Sequence, residues 1–143
     1  MIKRDVQRLI DANLNRLREG LRVLEDVSRY IYDAKEFTME LKEIRHSLQK
    51  VYSIDRVRFR DIINDVSKET TESELKRDSF IDLIIANFSR TQESSRVLEE
   101  AFKLIAPKDS NLFKSVRYKL YDLEKRVVEL TLKKDISVDW IDD

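Results

Sequence analysis

No cysteine occurs among the 143 residues, which excludes a disulfide framework, a thiolate nucleophile and a thiolate metal site. A single glycine, Gly20, and a single proline, Pro107, leave little turn punctuation. They also exclude a glycine-rich loop of the kind that cradles phosphates through backbone N–H groups. His46 is the only histidine, so a histidine-based metal site is excluded as well. Basic and acidic side chains balance at 28 each, so no general attraction to nucleic acid or to an anionic membrane is expected. No run approaches the roughly 20 apolar residues that span a bilayer, and Met1-Ile2-Lys3-Arg4-Asp5 lacks the apolar stretch of a signal peptide. These absences predict a soluble, cytoplasmic protein with neither a nucleic-acid nor a membrane partner.

What is present is dominated by Lys, Glu, Leu and Arg, and 41% of the residues are hydrophobic, enough to fill a core. Val6, Leu9, Ile10, Leu14, Leu17, Leu21, Leu24, Val27 and Ile31 recur at spacings of three and four and predict one amphipathic helix over about 5–32. A break at Asp33-Ala34-Lys35 precedes a second helix with Phe37, Leu41, Ile44, Leu48 and Val51 as its buried stripe. So short a connection predicts an antiparallel hairpin. A third helix starts at Ser79, where Ser79-Phe80-Ile81-Asp82 has the character of a capping box, and ends at Pro107. A fourth begins after Asp109 or Ser110, with Phe113, Val116, Leu120, Leu123, Val127 and Leu130 as its seam. The predicted fold is all-α, a four-helix-bundle-like domain over 1–133. It is built from repeat 1 (about 5–53), a less regular linker (about 54–78) and repeat 2 (about 79–133). A loose tail over 134–143 follows, in which Trp140 is able to dock.

The halves are copies. Ala12-Asn13-Leu14-Asn15-Arg16 with Glu19, Arg22-Val23-Leu24-Glu25 returns 74 positions later as Ala86-Asn87-Phe88-Ser89-Arg90 with Glu93, Arg96-Val97-Leu98-Glu99. In the second helices, Leu41 to Leu48 parallels Phe113 to Leu120 at a spacing of 72. Two hairpins, neither able to bury its apolar face alone, are expected to pair about an approximate two-fold. A duplicated core needs only its apolar period, yet Asn13/Asn87, Arg16/Arg90, Glu19/Glu93, Arg22/Arg96 and Glu25/Glu99 are retained. On helical geometry Asn13, Arg16 and Glu19 lie on or beside the apolar face, as do Asn87, Arg90 and Glu93, while Arg22, Glu25, Arg96 and Glu99 lie away from that stripe. Two readings follow. Either the facing sets form a cationic, carboxylate-flanked pocket for an anionic ligand, or they are ion pairs that orient the helices.

Leu17 and Leu21 of the first copy become Thr91 and Ser95 in the second, leaving 89–96 without one large apolar side chain. A mid-bundle helix losing its apolar face predicts a polar, ligand-binding cavity there, flanked by Arg90, Glu93 and Arg96. Arg45 and Arg117 form a further basic pair, each preceding His46 or Tyr118. In the linker, Asp61 and Asp65 stand four apart, a spacing able to hold a hard cation such as Mg²⁺, or simply to cap local turns.

The residues 10–16, 18–26, 41–46, Arg60-Asp61 with Asn64-Asp65-Val66, Ala86-Asn87-Phe88, Arg90, Glu93 and 96–100 together resemble one family. It is the small helical hydroxymethylpyrimidine phosphate kinase family, found alone or fused to the N-terminus of thiamine-phosphate synthase and often labelled thiamine-phosphate pyrophosphorylase. The resemblance covers about 5–130. It implies a thiamine-biosynthetic enzyme that transfers the γ-phosphoryl of ATP, with Mg²⁺, to 4-amino-2-methyl-5-hydroxymethylpyrimidine phosphate. On this resemblance Arg16, Arg90, Arg45 and Arg117 are assigned as phosphate clamps. Asn13, Asn87, Glu19 and Glu93 read the aminopyrimidine edge or bind Mg²⁺, with Asp61 and Asp65 as further metal candidates. Partners implied are the pyrimidine phosphate and thiamine-phosphate synthase, and a homodimer is compatible. Two other readings stand beside it. One is another all-helical enzyme, such as a chorismate mutase, against which the long linker and the duplication argue. The other is a non-catalytic helical module that docks onto thiamine-phosphate synthase or onto itself.

Overall fold

Two long helices, one from each sequence copy, lie against each other at the centre of the protein, and the remaining elements flank them. The computed structural model describes residues 2–69 and 76–137. Helix α1 spans Ile2–Asp26 and continues through a π-helical turn, Val27–Ile31. Helix α2, Lys35–Ser47, runs into a 3-10 turn, Leu48–Lys50. The linker opens with a 3-10 segment, Ile54–Phe59. Helix α3 spans Phe80–Ile105 and α4 spans Pro107–Ser137. The described residues are all-α. Helix α1 packs on α2 and on α3, α3 packs on α4, and the outer helices α2 and α4 touch only lightly. Arg126 closes that last side, donating to both carboxylate oxygens of Glu40 at 2.7 and 2.8 Å.

Most predicted boundaries hold within a turn, and the differences have local causes. The Ser79 hydroxyl accepts the Asp82 N–H at 3.3 Å, so the N-cap stands where the sequence puts it. Pro107 does more than end α3: it is the first residue of α4, a position where its missing N–H is no loss. The residues 134–137, expected in a loose tail, are the last turn of α4, and Trp140 lies outside the described residues. Leu9 and Ile31, expected in the core, are exposed, while Tyr32 is buried in their stead.

The change of repeat spacing from 74 to 72 now has a physical explanation. In the second copy Ala106 alone separates α3 from α4, whereas the first copy's connection is two residues longer. The π-helical turn leads into this connection, with Tyr32 N–H donating to Val27 O five residues back at 3.1 Å. Asp33, at φ 50°, turns the chain in a left-handed conformation that Asp tolerates. The Ala34 N–H then returns to Ser28 O at 2.8 Å.

Small residues set how close α1 and α3 come. A β-carbon at position 20 would lie 2.7 Å from Thr91 Cγ2 and 3.5 Å from the Asn87 carbonyl oxygen, so Gly20 is required for the contact. Thr91, Ser94 and Ser95 are buried in α3, and their hydroxyls donate to carbonyls of their own helix. Thr91 bonds Phe88 O at 2.8 Å, Ser94 bonds Arg90 O at 2.7 Å and Ser95 bonds Thr91 O at 2.7 Å. The expectation of a polar cavity at Thr91 and Ser95 is therefore corrected. The loss of leucines in the second copy makes room for a neighbouring backbone, and the hydroxyls are satisfied without a ligand.

Each hairpin is tied by the same buried bridge. In the first copy Arg45 donates Nε and Nη2 to the two oxygens of Glu25, at 2.8 and 3.1 Å, and Arg22 Nη1 stands 3.3 Å from the same carboxylate. In the second copy Arg117 Nε donates to Glu99 Oε2 at 3.1 Å and its Nη2 stands 3.0 Å from the same oxygen, with Arg96 Nη1 again at 3.3 Å from the carboxylate. Burial opposes the charge on Glu25, but the Arg45 hydrogen bonds and the charges of Arg45 and Arg22 outweigh it and hold its pKa below the ordinary 4.5.

Two outcomes follow for stability. Gly20→Ala should destabilise by about 1 kcal/mol, overpacking of about 1–3 kcal/mol outweighing the helix-propensity gain. In a Thr91→Ser background, which removes Cγ2, the same change should become neutral or stabilising; equal effects in both backgrounds, read by urea unfolding, would contradict the contact. Because the folded pKa of Glu25 lies below its unfolded value, its stabilisation is complete above about pH 4.5 and lost as pH falls through the folded value. Glu25→Gln should cost about 1–2 kcal/mol at neutral pH, discounted for the partial exposure of Arg45. It should also flatten the acid limb of the stability curve, whereas an unchanged acid limb would show that the bridge contributes nothing.

Candidate functional site

The retained polar residues separate into those the fold employs and those it does not. Glu25/Glu99, Arg22/Arg96 and Arg45/Arg117 form the hairpin bridges. Asn13 and Asn87 each donate Nδ2 to the carbonyl four residues back, Leu9 at 2.9 Å and Leu83 at 2.8 Å. The Asn13 Oδ1 is buried with no hydrogen-bond partner. Arg16 and Arg90, Glu19 and Glu93 are all exposed. Among the described residues Arg16 and Arg90 make no ion pair. Their retention has no counterpart in the packing.

The two Arg/Glu sets, expected to face one another, line no common pocket among those described, and Gly20 packs against Thr91 between α1 and α3. Arg16 and Glu19 instead open onto a hollow of about 690 Å³ between α1 and the linker. Arg8, Asp11, Asn15, Arg60, Asp61 and Asp65 are among its other walls. Glu93 and Arg96 line a separate groove with Ser89, Gln92 and Tyr121. Arg90 stands exposed on α3.

The linker wall is held by residues that motif reading did not single out as a site. Arg60 donates Nε and Nη2 to the oxygens of Asp11 at 2.8 and 2.9 Å, and Asp11 is buried. Arg8 Nη2 donates to the Asp61 carbonyl oxygen at 3.2 Å. Arg56 Nε donates to Gln7 Oε1 at 2.7 Å, its Nη1 donates to the Val51 carbonyl, and its guanidinium lies 5.5 Å from the Phe102 ring centre. Burial lowers the pKa of Arg56 from its ordinary value, against the opposing charges of Asp109 and Asp11. The pairing of Asp11 with a residue 49 positions away has no periodic signal. Its one trace is a mismatch between copies: Gln7, Arg8 and Asp11 become Ile81, Asp82 and Ile85 in α3. The second copy thus lacks the side chains that hold the linker.

Asp61 and Asp65 line the hollow, but each carboxylate serves the linker's own turns. Asp61 accepts the Asn64 N–H at 3.1 Å and the Asn64 side-chain amide at 2.8 Å, and Asp65 accepts the Ser67 N–H at 2.9 Å. The Asn64 side-chain bond, followed by the backbone bond, holds the Asp61 pKa below its ordinary value. Among the described residues no group of three His, Asp or Glu side chains converges as a metal cage would require. Nor is any described helix long and apolar enough to cross a membrane.

Known proteins share sequence with most of the chain. Thiamine-phosphate synthase of Nostoc punctiforme is 36% identical over 128 residues, covering 89% of this chain and 36% of that protein. That of Synechocystis sp. is 39% identical over 120 residues, covering 83% and 35%. That of Synechococcus sp. strain CC9311 is 41% identical over 125 residues, covering 87% and 35%. The chain spans about a third of the length of these curated relatives. No solved structure matches. A family model described as the ThiD2 family matches residues 8–126, from Arg8 at the hollow to Arg126 at the α2/α4 closure, and the chain belongs to that family.

Proposed function

We propose that the chain acts in thiamine biosynthesis as an ATP-dependent kinase of 4-amino-2-methyl-5-hydroxymethylpyrimidine phosphate, with the hollow beside α1 as its site. Arg16 carries this reading: it is retained in both copies, makes no ion pair among the described residues, and stands in a hollow between α1 and the linker whose linker wall is held by the first-copy residues Arg8 and Asp11. Family membership and the names of the thiamine-phosphate synthase relatives support the pathway.

The chemistry asks little of a general base. An ionised phosphate oxygen of the acceptor attacks the γ-phosphorus of ATP. The bond from that phosphorus to the β–γ bridging oxygen breaks, and ADP leaves with the electron pair. Acceleration then comes from holding two polyanions in line and neutralising their charge. In this reading Arg16 binds the acceptor phosphate as a charge-assisted donor, and Glu19 and Asn15 on the same face of α1 face the aminopyrimidine edge. Asp11 is a positioning residue, holding Arg60 and so the hollow's far wall. Mg²⁺ enters as part of Mg-ATP. The carboxylates present do not make a protein cage for it, and no step is assigned to a metal-binding residue of this chain.

Phosphorus NMR with Mg-ATP and the pyrimidine monophosphate should show ADP and the pyrimidine diphosphate. Their absence, with stabilisation by a thiamine-phosphate synthase instead, would favour the docking-module reading. Arg16→Ala should lower kcat/KM about 100-fold or more with the helical circular dichroism unchanged. Retained activity, or loss of the fold, would reject Arg16 as the acceptor clamp.

A further inference from the structure

The two copies carry one groove each at equivalent positions. In the first, Asn15, Arg18, Glu19, Arg22, Arg45 and Gln49 enclose about 310 Å³ between α1 and the end of α2. The groove of Glu93 and Arg96 is its counterpart: Ser89, Gln92, Glu93, Arg96 and Tyr121 stand 74 or 72 positions after Asn15, Arg18, Glu19, Arg22 and Gln49. They differ in what their donors are doing. In the second groove Arg117, already bonded to Glu99, gives its remaining Nη1 to the Tyr121 hydroxyl at 3.2 Å. Gln92, in the place of Arg18, donates its amide to Glu124 at 3.1 Å. That groove satisfies itself.

In the first groove the same positions leave donors free. Gln49 replaces the tyrosine, so Arg45 bonds Glu25 through Nε and Nη2 and, among the described residues, its Nη1 makes no bond. Arg22 meets Glu25 through Nη1 and lies 4.0 Å from Asp26 through Nε, leaving Nη2. Arg18 lies 5.2 Å from the Tyr52 ring centre and makes no ion pair among the described residues. The buried carboxylate of Glu25 therefore orients two guanidinium groups whose outer edges face the groove, and Arg18 supplies a third cation. Such forks, held in place before a ligand arrives, suit a chain of phosphate groups. The groove shares Asn15 and Glu19 with the hollow of Arg16, so the two sites adjoin along α1.

We infer that the first-copy groove binds the polyphosphate chain of a nucleoside triphosphate, and that its second-copy counterpart, closed by Tyr121 and Gln92, does not. This rests on the kinase reading for the identity of the nucleotide, while the polyphosphate chemistry rests on the groove alone.

The probes are Mg-ATP and inorganic tripolyphosphate, titrated calorimetrically into the full chain. Wild type should bind both at one site per chain. Arg18→Gln, which installs the second-copy residue, should weaken both about tenfold or more with unchanged thermal unfolding of the free protein. Arg18→Lys should recover part of the loss, and Gln92→Ala should bind as wild type. Absence of tripolyphosphate binding to wild type, unchanged affinity in Arg18→Gln, or equal weakening in Gln92→Ala would overturn the groove. The kinase reading fails separately. Tripolyphosphate binding through Arg18 without ADP formation rejects the kinase and keeps the groove, whereas ADP formation with an unchanged KM for ATP in Arg18→Gln rejects the groove and keeps the kinase.

Discussion

A buried carboxylate on the first helix of each hairpin, gripped by an arginine from the second, is the interaction on which the rest of the structure depends. Glu25 with Arg45, and Glu99 with Arg117, fix how each pair of helices lies. A lone carboxylate at that depth would be costly, and leaving one partner unpaired is penalised more heavily than the pair is rewarded. Such a bridge specifies an arrangement more than it stabilises one. In the first copy it also has a second effect: the carboxylate turns two guanidinium groups so that their unused edges face outward together.

The central contact between the copies works by the opposite means, through the absence of bulk. Gly20 faces Thr91 at a distance that no β-carbon allows, and the hydroxyls of α3 there return to their own backbone. Duplication has thus been followed by division of labour. The second copy has Thr91 and Ser95 where the first has leucines, which lets α1 approach. The first has Gln7, Arg8 and Asp11, which hold the linker, where the second has Ile81, Asp82 and Ile85. The π-helical turn leads into the longer first connection and the left-handed Asp33 turns it, closing a hairpin of the same kind.

Much of the architecture was legible in the sequence because helices advertise themselves by period. The apolar stripes, the Ser79 cap, the break at Asp33 and the duplication all predicted elements that the structure contains. The site was legible only in part. Retention marked Glu25, Arg45 and Arg16 alike, yet it could not separate Glu25 and Arg45, which pair with each other in the fold, from Arg16, which makes no ion pair among the described residues. That distinction depends on burial and on partners about 20 residues away. Thr91 and Ser95 misled because a polar residue facing a cavity and a small residue under a neighbouring backbone leave the same trace in one chain. The Asp11–Arg60 bond, between a helix and an irregular linker, follows no period.

We propose that the ligand-handling surface belongs to the first copy and the linker, with the second copy as its support. Backbone and arginine side-chain NMR shifts, recorded as Mg-ATP and then the pyrimidine phosphate are added, test this most directly. Perturbations should concentrate at 15–22, Arg45 and 60–65, while 89–96 and Arg117 stay unmoved. Perturbations of equal size in both copies, or confined to the second, would contradict it.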